Sequence, residues 1–183
     1  IGEIIIDQYF FCDPLGKSGK DPIMMFNNIK NSKYLGGSGA IANHLSEFCK
    51  EIKLISTIGQ KKEHLSFIKN TLKKNVTLDY LTKENSPTVL KQKYIDNNSS
   101  KKIVGFYTFN DSILEKNSEA NLKKKIQKNI LKYDLVIVSD YGHGMISNSL
   151  AKYICKISKF LIMNSQFNAA NIGHHTLNKY LNT

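Results

Sequence analysis

The residues best placed to do chemistry are glycines and carboxylates at points where the chain changes character. Gly36-Gly37-Ser38-Gly39-Ala40 opens a stretch whose apolar residues return at helical spacing. Glycines ahead of a helix let the backbone approach a ligand, and the free N–H groups of the first turn favour an anionic or hydroxylated group. Taken as letters, Gly37, Gly39 and Ala42 match a dinucleotide fingerprint. The context does not match: residues 28–35, where a buried strand is required, are polar, and Gly59-Gln60 stands where an acidic residue should close the next strand. No Gly-Lys-Ser/Thr closes the glycine run, so a Walker A loop fails as well. On spacing alone, a plain tight turn and a ligand-cradling turn fit equally.

Two aspartates join this turn. Asp140, in Ser139-Asp140-Tyr141-Gly142-His143-Gly144, ends the apolar run 134–139. Open α/β sheets bind ligands at the carboxyl ends of their strands. Alternatively, Asp140 caps the following helix. Asp7 ends the run Gly2-Glu3-Ile4-Ile5-Ile6 in the same way. Asp7, Gly36-Gly37 and Asp140 are therefore expected on one edge of one sheet. Carboxylates accept hydrogen bonds from hydroxyls and backbone amides donate to them, a combination suited to a polyhydroxylated ligand. The histidines suggest less: His44 and His64 fall on predicted helices, and the adjacent pair His174-His175 cannot present two ligands on one helical face, so no metal site is expected.

These residues need a scaffold, and the apolar pattern supplies one. Residues 2–7 read as a buried strand already under way, 53–59, 76–81, 134–139 and 160–163 as further strands, and 61–74, 119–132 and 147–157 as helices. A helix after Gly39 carries Ile41, Leu45, Phe48 and Cys49 on one face. Such β/α alternation implies a mostly parallel sheet with helices on both faces. Runs 88–96 and 102–109 flank Asn97-Asn98-Ser99-Ser100 and read as an antiparallel hairpin. Residues 8–35, rich in Gly, Pro and Asp turns, read as irregular and, with the hairpin, as a separate small sheet.

Composition excludes several classes. With 183 residues and 41% hydrophobic, the chain can bury a core. No apolar run reaches the roughly 18–20 residues of a membrane span. Nothing at the start resembles a signal peptide, and three scattered cysteines, Cys12, Cys49 and Cys155, fit neither a disulfide framework nor a zinc site, so a reduced cytoplasm is expected. The net charge of +11 suggests nucleic acid, but all 26 basic residues are lysine and 19 residues are asparagine, the coding bias of an AT-rich genome. The charge is read as a solvated surface, not a nucleic-acid patch.

Taken in order, these motifs resemble the PfkB (ribokinase-like) carbohydrate kinases. The strand ending in Asp7, Gly36-Gly37 entering a helix, Thr57-Ile58-Gly59, Pro87-Thr88 leading into a hairpin with Lys91 and Lys93, and Ser139-Asp140-Tyr141-Gly142-x-Gly144 all carry the likeness. It is greatest to the kinase domain of ADP-heptose synthase-type bifunctional sugar kinase/nucleotidyltransferases. The resemblance implies a Rossmann-type three-layer α/β/α sandwich with a β-sheet lid, here about 8–35 and 86–112, which forms a homodimer contact. It implies phosphorylation of a sugar or sugar-phosphate hydroxyl with ATP and Mg²⁺. Asp7, Gly36, Gly37 and Asn43 would bind the sugar, Thr88, Lys91 and Lys93 would be lid residues near it, and Asp140 would lie at the substrate end of the cleft.

The chain departs from that family at three positions. Ala40 replaces the asparagine after the glycine turn, His143 replaces the lysine of the Ser-Asp-Tyr-Gly-Lys-Gly motif, and Asn164-Ser165-Gln166 replaces Asp-Pro-Lys. The family's Gly-Ala-Gly-Asp motif, which carries the catalytic base, would fall beyond Thr183. Residues 1–183 are thus read as a partial kinase domain without turnover of its own. A non-catalytic sugar-binding or regulatory module of the same fold is the alternative.

Overall fold

The computed structural model describes residues 1–166 and 177–180. In chain order, the elements are β1 (Ile4–Lys17), β2 (Met24–Gly36), α1 (Gly37–Leu45), β3 (Ile52–Gly59), α2 (Leu65–Thr71), β4 (Val76–Lys83), β5 (Val89–Asp96), β6 (Lys102–Thr108), α3 (Lys116–Ile130), β7 (Val136–Asp140), α4 (Asn148–Ile157), β8 (Leu161–Ser165) and a short 3₁₀ turn (Leu177–Tyr180).

The body is built from parallel ladders, as the continuous apolar runs require. β3 pairs with β4 from Ile52↔Val76 to Gly59↔Lys83, and β7 with β8 from Val136↔Leu161 to Asp140↔Ser165. The start of the chain lies between them: Gly2 N donates to Ile55 O at 3.1 Å, and Ser139 N to Ile1 O at 2.8 Å. Successive side chains of β3 go to opposite faces, as the period of a strand dictates. Leu54 and Ile58 join Ala42 of α1 and Ile68 of α2 in one core. Ile55 joins Leu122 and Ile126 of α3 and Leu150 and Ile154 of α4 in the other. Helices therefore cover both faces of the sheet, giving the layered α/β architecture expected from the sequence.

A four-stranded sheet in the order β2-β1-β5-β6 rises from this body. The hairpin around residues 97–100 is antiparallel as expected, while β1 and β5 run parallel from Ile5↔Val89 to Cys12↔Asp96. Residues 8–35 are not irregular. They form most of two long antiparallel strands, with bulges between Phe11 and Cys12 and between Pro14 and Gly16. Bulges absorb the turn-forming residues that mask a strand in the sequence. Nor is this sheet separate, because β1 runs unbroken from the buried Ile4–Ile6 into the outer sheet.

Two helices are shorter than their apolar spacing suggests. α1 ends at Leu45, so Phe48 is 84% exposed and Cys49 is exposed too; the helix buries Ser38, Gly39 and Ala42 instead. Lys62 and His64 take left-handed φ values of +54° and +69°, which delays α2 to Leu65.

Candidate functional site

The register of the outer sheet assembles the first part of the site. Asp7 faces Tyr34 of β2 on one side and Lys91 of β5 on the other. Gly36 lies directly under the Asp7 carboxylate, and a Cβ at this position would collide with Asp7 Oδ2. Gly37 has a φ of +57°, and a Cβ there would strike the carbonyl of Glu3. Both glycines are therefore required for the strand β2 to turn into α1 against β1.

Two lysines of β5 complete this cluster. Lys93 Nζ donates to Asp7 Oδ1 at 2.8 Å and to Tyr9 Oη at 3.3 Å, and sits 5.0 Å from the Tyr9 ring centroid. Burial, the largest single influence, pulls the Lys93 ammonium down, but the bond and charge of Asp7 together with Tyr9 hold the group above its ordinary value. Lys91 stands among Asp7, Lys93 and Asp111, with its ammonium 5.7 Å from the Tyr107 ring centroid, and burial lowers its pKa. The side chains of Lys93 and Asp7 remain 18% and 22% exposed. One carboxylate, two ammonium groups and a glycine backbone thus meet on an accessible face. Such a set can accept from hydroxyls and neutralise an anion.

Asp140 is 1% exposed at the carboxyl end of β7. Its Oδ1 accepts from Gly142 N at 3.1 Å, and its Oδ2 receives Tyr180 Oη and Lys179 Nζ, each at 2.5 Å. Burial beside Asp140 raises the Tyr180 phenol strongly. Asp140 does not cap α4; Ser147 does, accepting from Leu150 N at 3.0 Å.

Asp7 and Asp140 do not share one edge of one sheet as expected: Asp7 lies within β1 of the four-stranded sheet, because that strand runs on to Lys17, and Asp140 ends β7 of the β7–β8 pair. Gly2 is level with Ser139, which sets Glu3 level with Asp140 and Asp7 four residues further on, about 13 Å along the strand. Glu3 is the carboxylate beside Asp140, and sequence reading passed over it. An acidic residue inside an apolar run was the available signal. Burial and the neighbouring Asp140 charge push the Glu3 carboxyl up to about 7.

Two expected binders are used elsewhere. Asn43 donates from Nδ2 to Thr71 O and accepts at Oδ1 from Lys73 N, both at 3.0 Å, tying α1 to the end of α2. Thr88 is 2% exposed, with its Oγ1 accepting from Gly59 N at 2.9 Å and its own N donating to Glu63 Oε1 at 2.6 Å. It holds β5 to the end of β3. In this structure both side chains are engaged with main-chain groups.

His143 turns inward, 2% exposed, with Nδ1 2.7 Å from Asp111 Oδ1. Burial lowers its pKa despite that carboxylate, so the neutral ring donates Nδ1–H and leaves Nε2 a buried acceptor with no protein partner. Lys83 donates to His143 O at 2.9 Å and lines the same small polar cavity with Thr57, Thr88 and Asn110. Among the described residues, no group of three or more His, Cys, Asp or Glu side chains could hold a metal ion. His174 and His175 lie outside the described residues. No helix among the described residues is long and apolar enough to cross a membrane.

No protein-family model matches the chain. It is 32% identical over 168 residues to the bifunctional protein HldE of Aliarcobacter butzleri, covering 86% of this chain and 33% of that protein. It is 29% identical over 160 residues to bifunctional HldE of Nitratiruptor sp., covering 86% of this chain and 34% of that protein. The chain therefore spans about a third of the length of the curated relatives that it matches. Phosphofructokinase-2 of Escherichia coli, solved in complex with fructose-6-phosphate, superposes with a TM-score of 0.62 at 13% identity, over 91% of this chain and 54% of that one. Ribokinase of Thermotoga maritima superposes with a TM-score of 0.56 at 15% identity, over 98% of this chain and 54% of that one. The relatives are HldE proteins, and the fold is that of PfkB-type sugar kinases, as the motifs implied.

Proposed function

We propose that the chain forms the sugar-binding half of an ATP-dependent carbohydrate kinase that phosphorylates a hydroxyl of a sugar or sugar phosphate, in the synthesis of a nucleotide-activated heptose or a related sugar. The observation that carries this reading is the cluster of Asp7, Gly36, Gly37, Lys91 and Lys93. Asp7 would accept from sugar hydroxyls, the glycine backbone would let the ring approach, and the two ammonium groups would face the phosphate of a sugar phosphate. Binding by this set would hold the reacting hydroxyl in place, and closure of the outer sheet over it would exclude water.

ATP and Mg²⁺ enter this proposal from kinship with HldE and the sugar kinases. The described residues form no cluster that would fix a metal ion, so no step of the reaction is assigned to them through that ion. The work of these residues is confined to the sugar end, and residues 1–183 alone should not turn over ATP. The outer sheet leaves Met24, Met25, Ile29, Val104, Phe106 and Tyr107 exposed, which supports a homodimer through this lid. The inward-facing His143, where the family places lysine, favours a second reading as a sugar-binding module without catalysis.

The test is isothermal titration of fructose 6-phosphate and a heptose phosphate into wild-type and Asp7→Ala protein. Binding of either sugar phosphate that weakens at least tenfold in Asp7→Ala supports the proposal. Equal affinity in the two proteins, or no binding to the wild type, overturns it.

A further inference from the structure

Glu3 is 1% exposed immediately ahead of the buried Ile4–Ile6 start of β1, an expensive place for a carboxylate unless donors surround it. Three backbone amides do so, all from the loop between β7 and α4. Oε2 accepts from Tyr141 N at 3.0 Å, and Oε1 accepts from His143 N at 3.2 Å and from Met145 N at 3.4 Å. These amides are at alternate positions, so the loop presents one strip of N–H groups to one side chain. We propose that Glu3 is a positioning residue: it fixes the Tyr141–Met145 loop against β1, and through that loop sets Asp140 and His143 at the inner end of the candidate site.

The geometry requires a carboxylate there. Only a group with two acceptor oxygens can take three converging donors. Glutamine at this position would turn its NH₂ toward at least one backbone N–H and lose one or two of the three bonds. The loop is tied elsewhere as well: Asp140 Oδ1 accepts from Gly142 N, His143 Nδ1 meets Asp111 Oδ1, Leu114 N donates to Gly144 O at 3.1 Å and Lys83 Nζ donates to His143 O, but Glu3 takes three of its amides at once. The charged and titratable groups whose fields reach Glu3 are Asp140 from β7, Lys83 from β4, the Ile1 ammonium ahead of β1 and Tyr180 from the 3₁₀ turn. Asp140 works against its ionisation and Lys83 for it. The amide strip supplies what these charges do not.

The part of the proposal that concerns a sugar rests on the reading above; the hold on the loop does not. The experiment is hydrogen–deuterium exchange on residues 1–183, wild type against Glu3→Gln, at pH 8. Exchange at 140–147 at least tenfold faster in Glu3→Gln, with β3 and α4 within twofold of wild type, supports the proposal. Unchanged exchange at 140–147 overturns it, as does equal acceleration everywhere, which would make Glu3 a general structural residue. A measurement on the wild type guards against a variant that fails to fold. The amide proton resonances of Tyr141, His143 and Met145 should move together, with one midpoint, between pH 5 and 8.5. Three independent or static resonances overturn the proposal. Neither readout needs a sugar, so a failure to bind fructose 6-phosphate would strike the sugar reading and leave these results to decide.

Discussion

The buried Glu3 carboxylate makes a quantitative statement about stability and pH. Its pKa is raised from an ordinary 4.5 to about 7, first by burial and then by Asp140. Between those values the folded chain holds a proton that the unfolded chain has released. Stability contributed by this group is therefore complete below pH 4.5 and is lost as pH rises through 7. At about 1.4 kcal/mol for each tenfold difference in proton affinity, the loss is roughly 3 kcal/mol, a large share of a small domain's stability. The Ile1 ammonium, lowered to about 6 by burial, acts in the opposite sense between pH 6 and 8. It is present in both proteins, so the difference between wild type and Glu3→Gln largely removes it. Urea unfolding from pH 4.5 to 8 should show wild-type stability falling relative to Glu3→Gln by about 3 kcal/mol, with most of the change below pH 7. Parallel curves would refute the reasoning, because they would mean that Glu3 titrates as it does in the unfolded chain.

Gly36→Ala should destabilise the protein by about 1–3 kcal/mol in urea melts, since the new methyl must displace the Asp7 carboxylate. It should also impair sugar-phosphate binding in calorimetry. Asn43→Ala should cost about 1–2 kcal/mol through its two lost hydrogen bonds between α1 and α2, and leave sugar-phosphate affinity within twofold. Ile126→Ala, at a site with no exposure, should cost about 2–5 kcal/mol, whereas Phe48→Ser on the open surface should change stability by less than about 0.5 kcal/mol.

The body of the fold was legible because its strands are buried on both faces. Runs such as Leu54-Ile55 and Val136-Ile137-Val138 announce that environment directly. The hairpin was legible because Asn97–Ser100 concentrates turn formers between two β-rich runs. The strands of residues 8–35 were not, since β2 is exposed over most of its length and shows no alternation of burial to read. Phe48 and Cys49 extended an apolar face beyond the point where the helix ends, with Ser46 as its C-cap. In the candidate site, the two glycines followed from a helix start, whereas Asp7, read as a strand end, lies inside β1, which continues to Lys17. Glu3 did not, because a lone carboxylate in an apolar run says that it needs partners without saying which. Thr88 carries the family's residue type and Asn43 stands one helical turn beyond Ala40, where the family has asparagine, and main-chain groups far off in the sequence, at the ends of α2 and β3, engage their polar atoms.

β1 and β5 pass from the interior to the outer sheet as one hydrogen-bonded ribbon, with no loop interrupting either strand between the two regions. β1 alone, at 14 residues, extends about 46 Å. Any approach of the far tip toward Asp7 must be an elastic deflection, like that of a leaf spring clamped at one end. Compliance should concentrate where the ladder is already irregular, beyond Phe11, beyond Pro14 and beside Tyr94. The extent of that bending then depends on the bulges, one of which comes just after Lys93 of the candidate site.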